Sequence, residues 1–164
     1  MPVWDEHHLE FFSLSPPQTQ RLGIRLGRNL QTGDLICLQG EIGSGKTTFV
    51  RGVASGWGSP DPVSSPTFVL VNEYRRPDGL RLYHLDAYRL AHLQEALELD
   101  LEAMLTTGAL IIEWAERLTP LLPMERLWIV IEYVDEEVRR FWFEAQGKRY
   151  DLLLQQLRTS IYGA

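Results

Sequence analysis

The chain has 164 residues, 45% of them hydrophobic and 23% charged, which fits one ordinary soluble domain, read here as spanning residues 1–164. Acidic residues outnumber basic ones by 22 to 16, a formal charge of −6, and this argues against a free-standing nucleic-acid binder, which needs surplus basic charge to neutralise phosphates. The single Cys, Cys37, excludes an intramolecular disulfide and a multi-Cys zinc site, and the longest apolar runs are strand-sized, too short to span a bilayer.

Met1 to Glu10 carries Asp5, Glu6 and Glu10 and no long apolar run, so it does not read as a secretory signal, and a cytoplasmic location is the simplest expectation. His8 to Leu14 is predicted to form a first strand. Ser15 followed by Pro16-Pro17 reads as an N-cap and early helical positions, opening a helix to about Leu30 with Leu22, Leu26 and Leu30 on its core face. Asp34 to Leu38 is a short apolar strand, and Cys37 inside it reads as a packed thiol. A glycine loop, Gly40 to Thr47, leads into a helix from Lys46 to about Ser55, ended near Gly56. Ser59 to Pro66 is loop.

Thr67 to Tyr74 and Leu80 to Leu85 are strands joined by the turn Arg76-Pro77-Asp78-Gly79. Leu93 to Leu105 is an acidic helix with a break near Asp100. Ala109 to Ile112 is a buried strand and Glu116 to Leu122 a short helix. Leu127 to Tyr133 and Val138 to Ala145 alternate apolar and polar residues around Asp135-Glu136-Glu137 and read as a hairpin. Tyr150 to Ile161 closes the chain as a helix. Two hairpins flanking two buried strands require a mixed sheet, because a hairpin is antiparallel. The fold class is therefore α/β, a mixed sheet flanked by helices.

Gly40-Glu41-Ile42-Gly43-Ser44-Gly45-Lys46-Thr47 satisfies G-x-x-x-x-G-K-[ST] and lies between a strand and a helix. The glycines let backbone N–H groups turn inward towards phosphate oxygens, and the helix aims its positive end at the same point. Lys46 is suited to the β- and γ-phosphates and the Thr47 hydroxyl to Mg²⁺. The use of Lys is telling: only Lys46 and Lys148 are Lys, against fourteen Arg, and one of the two occupies this loop. No N/T-K-x-D segment follows either Lys, so adenine is preferred to guanine. No LSGGQ-like segment is present, which disfavours a transport ATPase. Two carboxylates end strands that would emerge at the ligand-binding edge of an open α/β sheet, Asp86 and Glu113. Glu113 follows the cleaner apolar run and is preferred on composition as the metal-side acid. His84, two positions before Asp86, can point the same way from the strand, and a packed or hydrogen-bonded structural histidine is at least as favoured as a functional one. Ser64 to Thr67 lies where switch loops sit.

In order along the chain stand Gly40 to Gly52, Ser65-Pro66-Thr67-Phe68, Val71-Asn72-Glu73-Tyr74, Tyr83-His84-Leu85-Asp86-Ala87-Tyr88-Arg89-Leu90 and Ile112-Glu113-Trp114-Ala115-Glu116-Arg117. These segments resemble the bacterial TsaE proteins, formerly YjeE, small ATPases needed to make N6-threonylcarbamoyladenosine on tRNA beside the anticodon. The resemblance runs from about Ser15 to Pro123 and implies a P-loop NTPase-type sheet, with a parallel centre and antiparallel edge strands. It implies that Gly43, Ser44, Gly45, Lys46, Thr47 and Thr48 wrap the ATP phosphates and that Thr47 and Glu113 hold Mg²⁺. It further implies that Asp86 and Lys46 serve hydrolysis, that Thr67 belongs to a switch loop, and that Trp114 lies near the nucleotide. The helix start around Pro16 to Thr19 would approach the adenine, and one of Arg139 and Arg140, with Arg139 favoured, would reach ATP. Ala87 and Ala115 depart from residues common in the family without removing a functional group. The implied partners are TsaD and TsaB, with tRNA reached through their assembly. In that setting hydrolysis resets the assembly between turnovers.

A small P-loop kinase and a nucleotide-switched binding module stay as alternatives. Transfer of the γ-phosphate to a metabolite would mark the first, and survival of multi-turnover modification without Asp86 the second.

Overall fold

The computed structural model describes residues 5–41, 43–64 and 71–163. Among these, seven strands form one sheet: β1 (His8–Ser13), β2 (Leu35–Gln39), β3 (Val71–Arg75), β4 (Arg81–Asp86), β5 (Gly108–Glu113), β6 (Arg126–Tyr133) and β7 (Arg139–Gln146). Their spatial order is β1-β7-β6-β2-β5-β4-β3. The inner strands β6, β2, β5 and β4 are mutually parallel, and β1, β7 and β3 add antiparallel edges, as the two hairpins require. The mixed α/β sheet is thus the one read from the sequence. Positions 67–70, the first part of the third predicted strand, lie outside the described residues.

The central strands are apolar on both faces because both faces are covered. Along β2, Ile36 and Leu38 enter one core with Ile111, Ile129, Phe49 and Leu153, while Leu35 and Cys37 enter the other with Leu110, Ile112 and Leu85. Burial pushes the Cys37 thiol up to about 12, so it is a packing group, as expected. On the first face lie α1 (Pro16–Gly27), α2 (Lys46–Trp57) and α5 (Lys148–Tyr162). On the second lie α3 (Leu93–Leu97), α4 (Leu101–Thr107) and 3-10 turns at Ala87–Arg89, Ala115–Arg117 and Thr119–Leu121.

The acidic helix breaks at Asp100 as expected, giving two short helices; the positive φ of 51° at Asp100 and its side-chain cap on the Ala103 N–H start α4. Other local expectations are corrected. The Glu116–Leu122 helix is two 3-10 turns. The first helix stops at Gly27, although Leu30 is still buried. Gly56 does not end α2; Gly58, at φ 102°, does.

Gly56 belongs instead to a close helix contact. A Cβ at Gly23 would run into the Phe49 carbonyl, at Gly27 into that of Val53, at Gly52 into that of Gln20 and at Gly56 into that of Ile24. The paired positions ascend together along both helices, so α1 and α2 run parallel, almost backbone to backbone. The start of α1 therefore stands level with the start of α2, at the carboxyl edge of the sheet.

Candidate functional site

β2 ends at Gln39 and the chain turns through Gly40 to Gly45 before α2 begins at Lys46. Gly43 and Gly45 have φ of 82° and 100°, a conformation that costs a side chain dearly, so the loop's glycines are needed where they stand. Gly40 is needed for space, since a Cβ there would meet the Ile131 carbonyl at 2.6 Å. Lys46 is 7% exposed, and its ammonium donates to the carbonyls of Gly40 and of Glu41, the latter at 2.8 Å. It also lies 4.7 Å from the centre of the Trp114 ring. Burial lowers the Lys46 pKa, against the opposing fields of Glu113, Asp86, Glu116 and Glu41. Ser44 is buried, and Thr47 and Thr48 are half-buried in the first turn of α2. Ile42 lies outside the described residues.

Asp86 and Glu113 are register partners at the ends of β4 and β5. Glu113 is 3% exposed, and its Oε2 lies 2.6 Å from His84 Nε2. Asp86 is half-buried and accepts the Tyr88 N–H at 2.9 Å, capping the Ala87–Arg89 turn. Burial raises the Asp86 pKa above the usual carboxylate value and the charge of Glu113 adds to that; the Tyr88 N–H, His84 and Lys46 oppose it. Among the described residues no three His, Cys, Asp or Glu converge as a complete metal cage. The donors at hand are oxygens, two carboxylates and the Thr47 hydroxyl. That set suits a hard divalent cation which takes one or two protein oxygens and completes its shell with phosphates and water.

Trp114, next to Glu113, has φ 58° and packs on Tyr88 with ring centres 4.9 Å apart. A left-handed tryptophan is uncommon and costs strain, as happens at functional turns. The two arginines of β7 separate cleanly. Arg139 donates to the Gly43 carbonyl at 3.1 Å, and its buried Nε has no hydrogen-bond partner and lies close to Gly45. Arg140 is committed to Glu10 at 2.7 Å and Glu132 at 3.1 Å. Arg139 is therefore the one that borders the glycine loop.

Thr19 stands at the level of the loop but is 2% exposed, and its hydroxyl pairs with Ser13 Oγ at 2.7 Å. That pairing fastens β1 to α1, and Leu14, Pro16 and Pro17 are exposed at this end. Thr67 lies outside the described residues. Lys46, Trp114, Glu113, Asp86 and Arg139 thus gather around one edge, with Thr47 and Thr48 on the adjoining helical turn.

Two features escaped the sequence reading. A cavity of about 560 Å³ opens beside the loop, bordered by Trp114, Tyr133, Glu41, Glu116 and Glu132. It joins residues from three separated segments, which no local pattern announces. Second, His84 is fully buried and bridges Glu113 to Tyr74, whose hydroxyl lies 2.8 Å from Nδ1. The i, i+2 spacing of His84 and Asp86 was the available signal; the Tyr74 side was not.

Comparison with known proteins places these features in one lineage. The model of the family described as "Threonylcarbamoyl adenosine biosynthesis protein TsaE" matches residues 13–141. A Bacillus subtilis (strain 168) protein named tRNA threonylcarbamoyladenosine biosynthesis protein TsaE is 39% identical over 150 residues, covering 91% of this chain and 93% of its own. A Nostoc sp. protein of the same name is 40% identical over 136 residues, covering 80% of this chain and 82% of its own. A crystal structure of the Bacillus subtilis protein YdiB superposes with a TM-score of 0.76 at 33% identity, covering 94% of this chain and 96% of that one.

Proposed function

The chain belongs to the TsaE family, and we propose that it binds ATP with Mg²⁺ at the Gly40–Thr47 loop and hydrolyses it in support of N6-threonylcarbamoyladenosine formation on tRNA beside the anticodon. The observation that carries this reading is the convergence of a buried lysine in a glycine loop with two carboxylates on adjacent parallel strand ends. The names of the relatives supply the biosynthetic setting.

The residues divide the work. The loop from Gly43 to Thr48 offers backbone N–H groups to the phosphates, and Lys46 gives its ammonium to the β- and γ-oxygens in place of the carbonyls of Gly40 and Glu41. Thr47 and Glu113 hold Mg²⁺, which when bound neutralises charge that develops on the phosphate oxygens. Asp86, at the end of β4 beside the proposed metal ligand Glu113, receives the role of orienting the attacking water. Arg139 reaches the phosphates from the hairpin side, and the end of α1 near Pro16 and Pro17 borders the adenine. Hydrolysis does not build the modified base; loss of the γ-phosphate resets an assembly with TsaD and TsaB. Those partners handle the tRNA, which the charge of −6 on this chain favours.

Release of inorganic phosphate from ATP by the purified protein tests the chemistry. Slow, Mg²⁺-dependent release is expected, abolished by Lys46→Ala with loss of binding and by Asp86→Ala with binding retained. Transfer of the γ-phosphate to a small metabolite, or release indifferent to Asp86→Ala, would overturn the assignment.

A further inference from the structure

We propose that His84 is a positioning residue that holds the Glu113 carboxylate in its metal-binding orientation and is itself held by Tyr74; this rests on the reading of Glu113 as the metal-side acid. A line of side chains runs across three strands. The Tyr74 hydroxyl on β3 lies 2.8 Å from His84 Nδ1 on β4, and His84 Nε2 lies 2.6 Å from Glu113 Oε2 on β5. The same hydroxyl reaches the Ser64 carbonyl at 3.2 Å, and that carbonyl also accepts from Asn72 Nδ2 at 2.9 Å.

The line is dry. His84 is 0% exposed, Tyr74 2% and Glu113 3%. A buried carboxylate without a partner is costly, so one oxygen of Glu113 must be satisfied from within the protein. His84 does this with Oε2 and leaves Oε1 for the cation. The imidazole cannot turn freely, because its other nitrogen faces Tyr74 and its ring packs against the Tyr74 ring with centres 5.8 Å apart. Any buried imidazole needs partners for both ring nitrogens; what gives His84 a positioning role is that one of those partners is the carboxylate assigned to the metal. Partners of this kind typically change metal affinity by about 10–100-fold when removed.

The tyrosine has a single proton for two contacts. When it donates to Nδ1, the ring carries its proton on Nε2 and donates to Glu113. When it donates to Ser64, Nδ1–H must donate to it.

The test measures Mg²⁺ binding rather than turnover. Calorimetric titration of a non-hydrolysable ATP analogue, with Mg²⁺ and with a chelator, should show His84→Leu weakening the Mg²⁺-dependent part about tenfold or more and the chelated part less than about twofold. His84→Gln, whose amide reaches towards the Nε2 position, should recover part of the loss, and Tyr74→Phe should show a smaller loss, about threefold. Long-range ¹H–¹⁵N spectra of the unaltered protein should show the His84 ring nitrogens shifting when Mg²⁺ joins the nucleotide complex, a readout that needs no variant to fold. Glu113→Gln separates the two levels of the argument. If it leaves Mg²⁺ dependence unchanged, Glu113 is not the metal acid and both readings fall. If Glu113→Gln removes the dependence while the His84 variants and the His84 spectrum stay unmoved, only the positioning role falls.

Discussion

Arg139 and Arg140 are adjacent in sequence and differently partnered, Arg139 by backbone carbonyls of the β6–β7 turn and the glycine loop, Arg140 by carboxylates, and the difference sets up a contrast by mutation. Arg139 faces the Gly43 carbonyl, with an unpartnered buried Nε, whereas Arg140 is tied into Glu10 and Glu132. A charged hydrogen bond to phosphate contributes about 1.5–3 kcal/mol. Arg139→Ala should therefore weaken ATP binding or slow hydrolysis by about 10–100-fold, and Arg140→Ala should leave nucleotide affinity within about twofold; binding titrations of both variants decide it. Asp86 carries a second consequence. Its folded-state pKa lies above the ordinary value of 3.8, so the folded protein binds that proton more tightly than the unfolded chain does. Stability from this group is highest below pH 3.8 and is lost as the pH rises through the raised value. At neutral pH the ionised Asp86 is a net cost. Asp86→Asn, which keeps an oxygen to cap the Tyr88 N–H, should raise the melting temperature at pH 7 while abolishing hydrolysis, and the gain should vanish in acid. An unchanged or lower melting temperature at pH 7 would mean that burial does not govern this carboxyl. The residue scale was also the least legible in advance. Lys46, Asp86 and Glu113 were readable because a loop motif and strand ends mark them, while the Tyr74–His84–Glu113 line depends on strand neighbours 29 residues apart in the case of His84 and Glu113.

At the scale of elements, the contact between α1 and α2 decides where the glycine-loop edge is built. Four glycines let the two helices approach until a Cβ would meet a carbonyl, so the start of α1 is held beside the loop. Gly52→Ala gains helix propensity of about 1 kcal/mol but must push the Gln20 backbone aside, and overpacking of this kind costs about 1–3 kcal/mol. A lower urea midpoint, together with weaker nucleotide binding, is expected, whereas Gly79→Ala, in a surface turn with open space but a positive φ, should lower stability without changing nucleotide affinity. The spacing of Gly23, Gly27, Gly52 and Gly56 was visible, yet Gly56 read as a helix end because a glycine late in a helix usually is one. Pattern shows which residues are small; it does not show which neighbour they admit. The strand periods, by contrast, were legible, since β6 and β7 alternate and β2 and β5 are apolar up to their last residues, the marks of half-buried and fully buried strands.

For the whole molecule, the mixed sheet gathers loop, acids and arginine at one edge, and the surface stays acidic. Among the described residues no helix is long and apolar enough to cross a membrane. With a formal charge of −6, the isolated chain should bind tRNA weakly at physiological salt, and its tRNA dependence should appear only with partners present. The cavity beside the loop, bordered by Glu41, Glu116 and Glu132, continues that acidic character up to the site itself. We propose that ATP hydrolysis at this edge lets an assembly with TsaD and TsaB modify tRNA over repeated turnovers. Reconstitution with TsaD and TsaB tests it most directly, following ATP loss and N6-threonylcarbamoyladenosine on tRNA in the same reaction over many turnovers. The expected result is hydrolysis accelerated by the partners and modification that stalls after about one turnover when this protein is omitted or carries Asp86→Ala. Equal multi-turnover yield with and without the protein would contradict it.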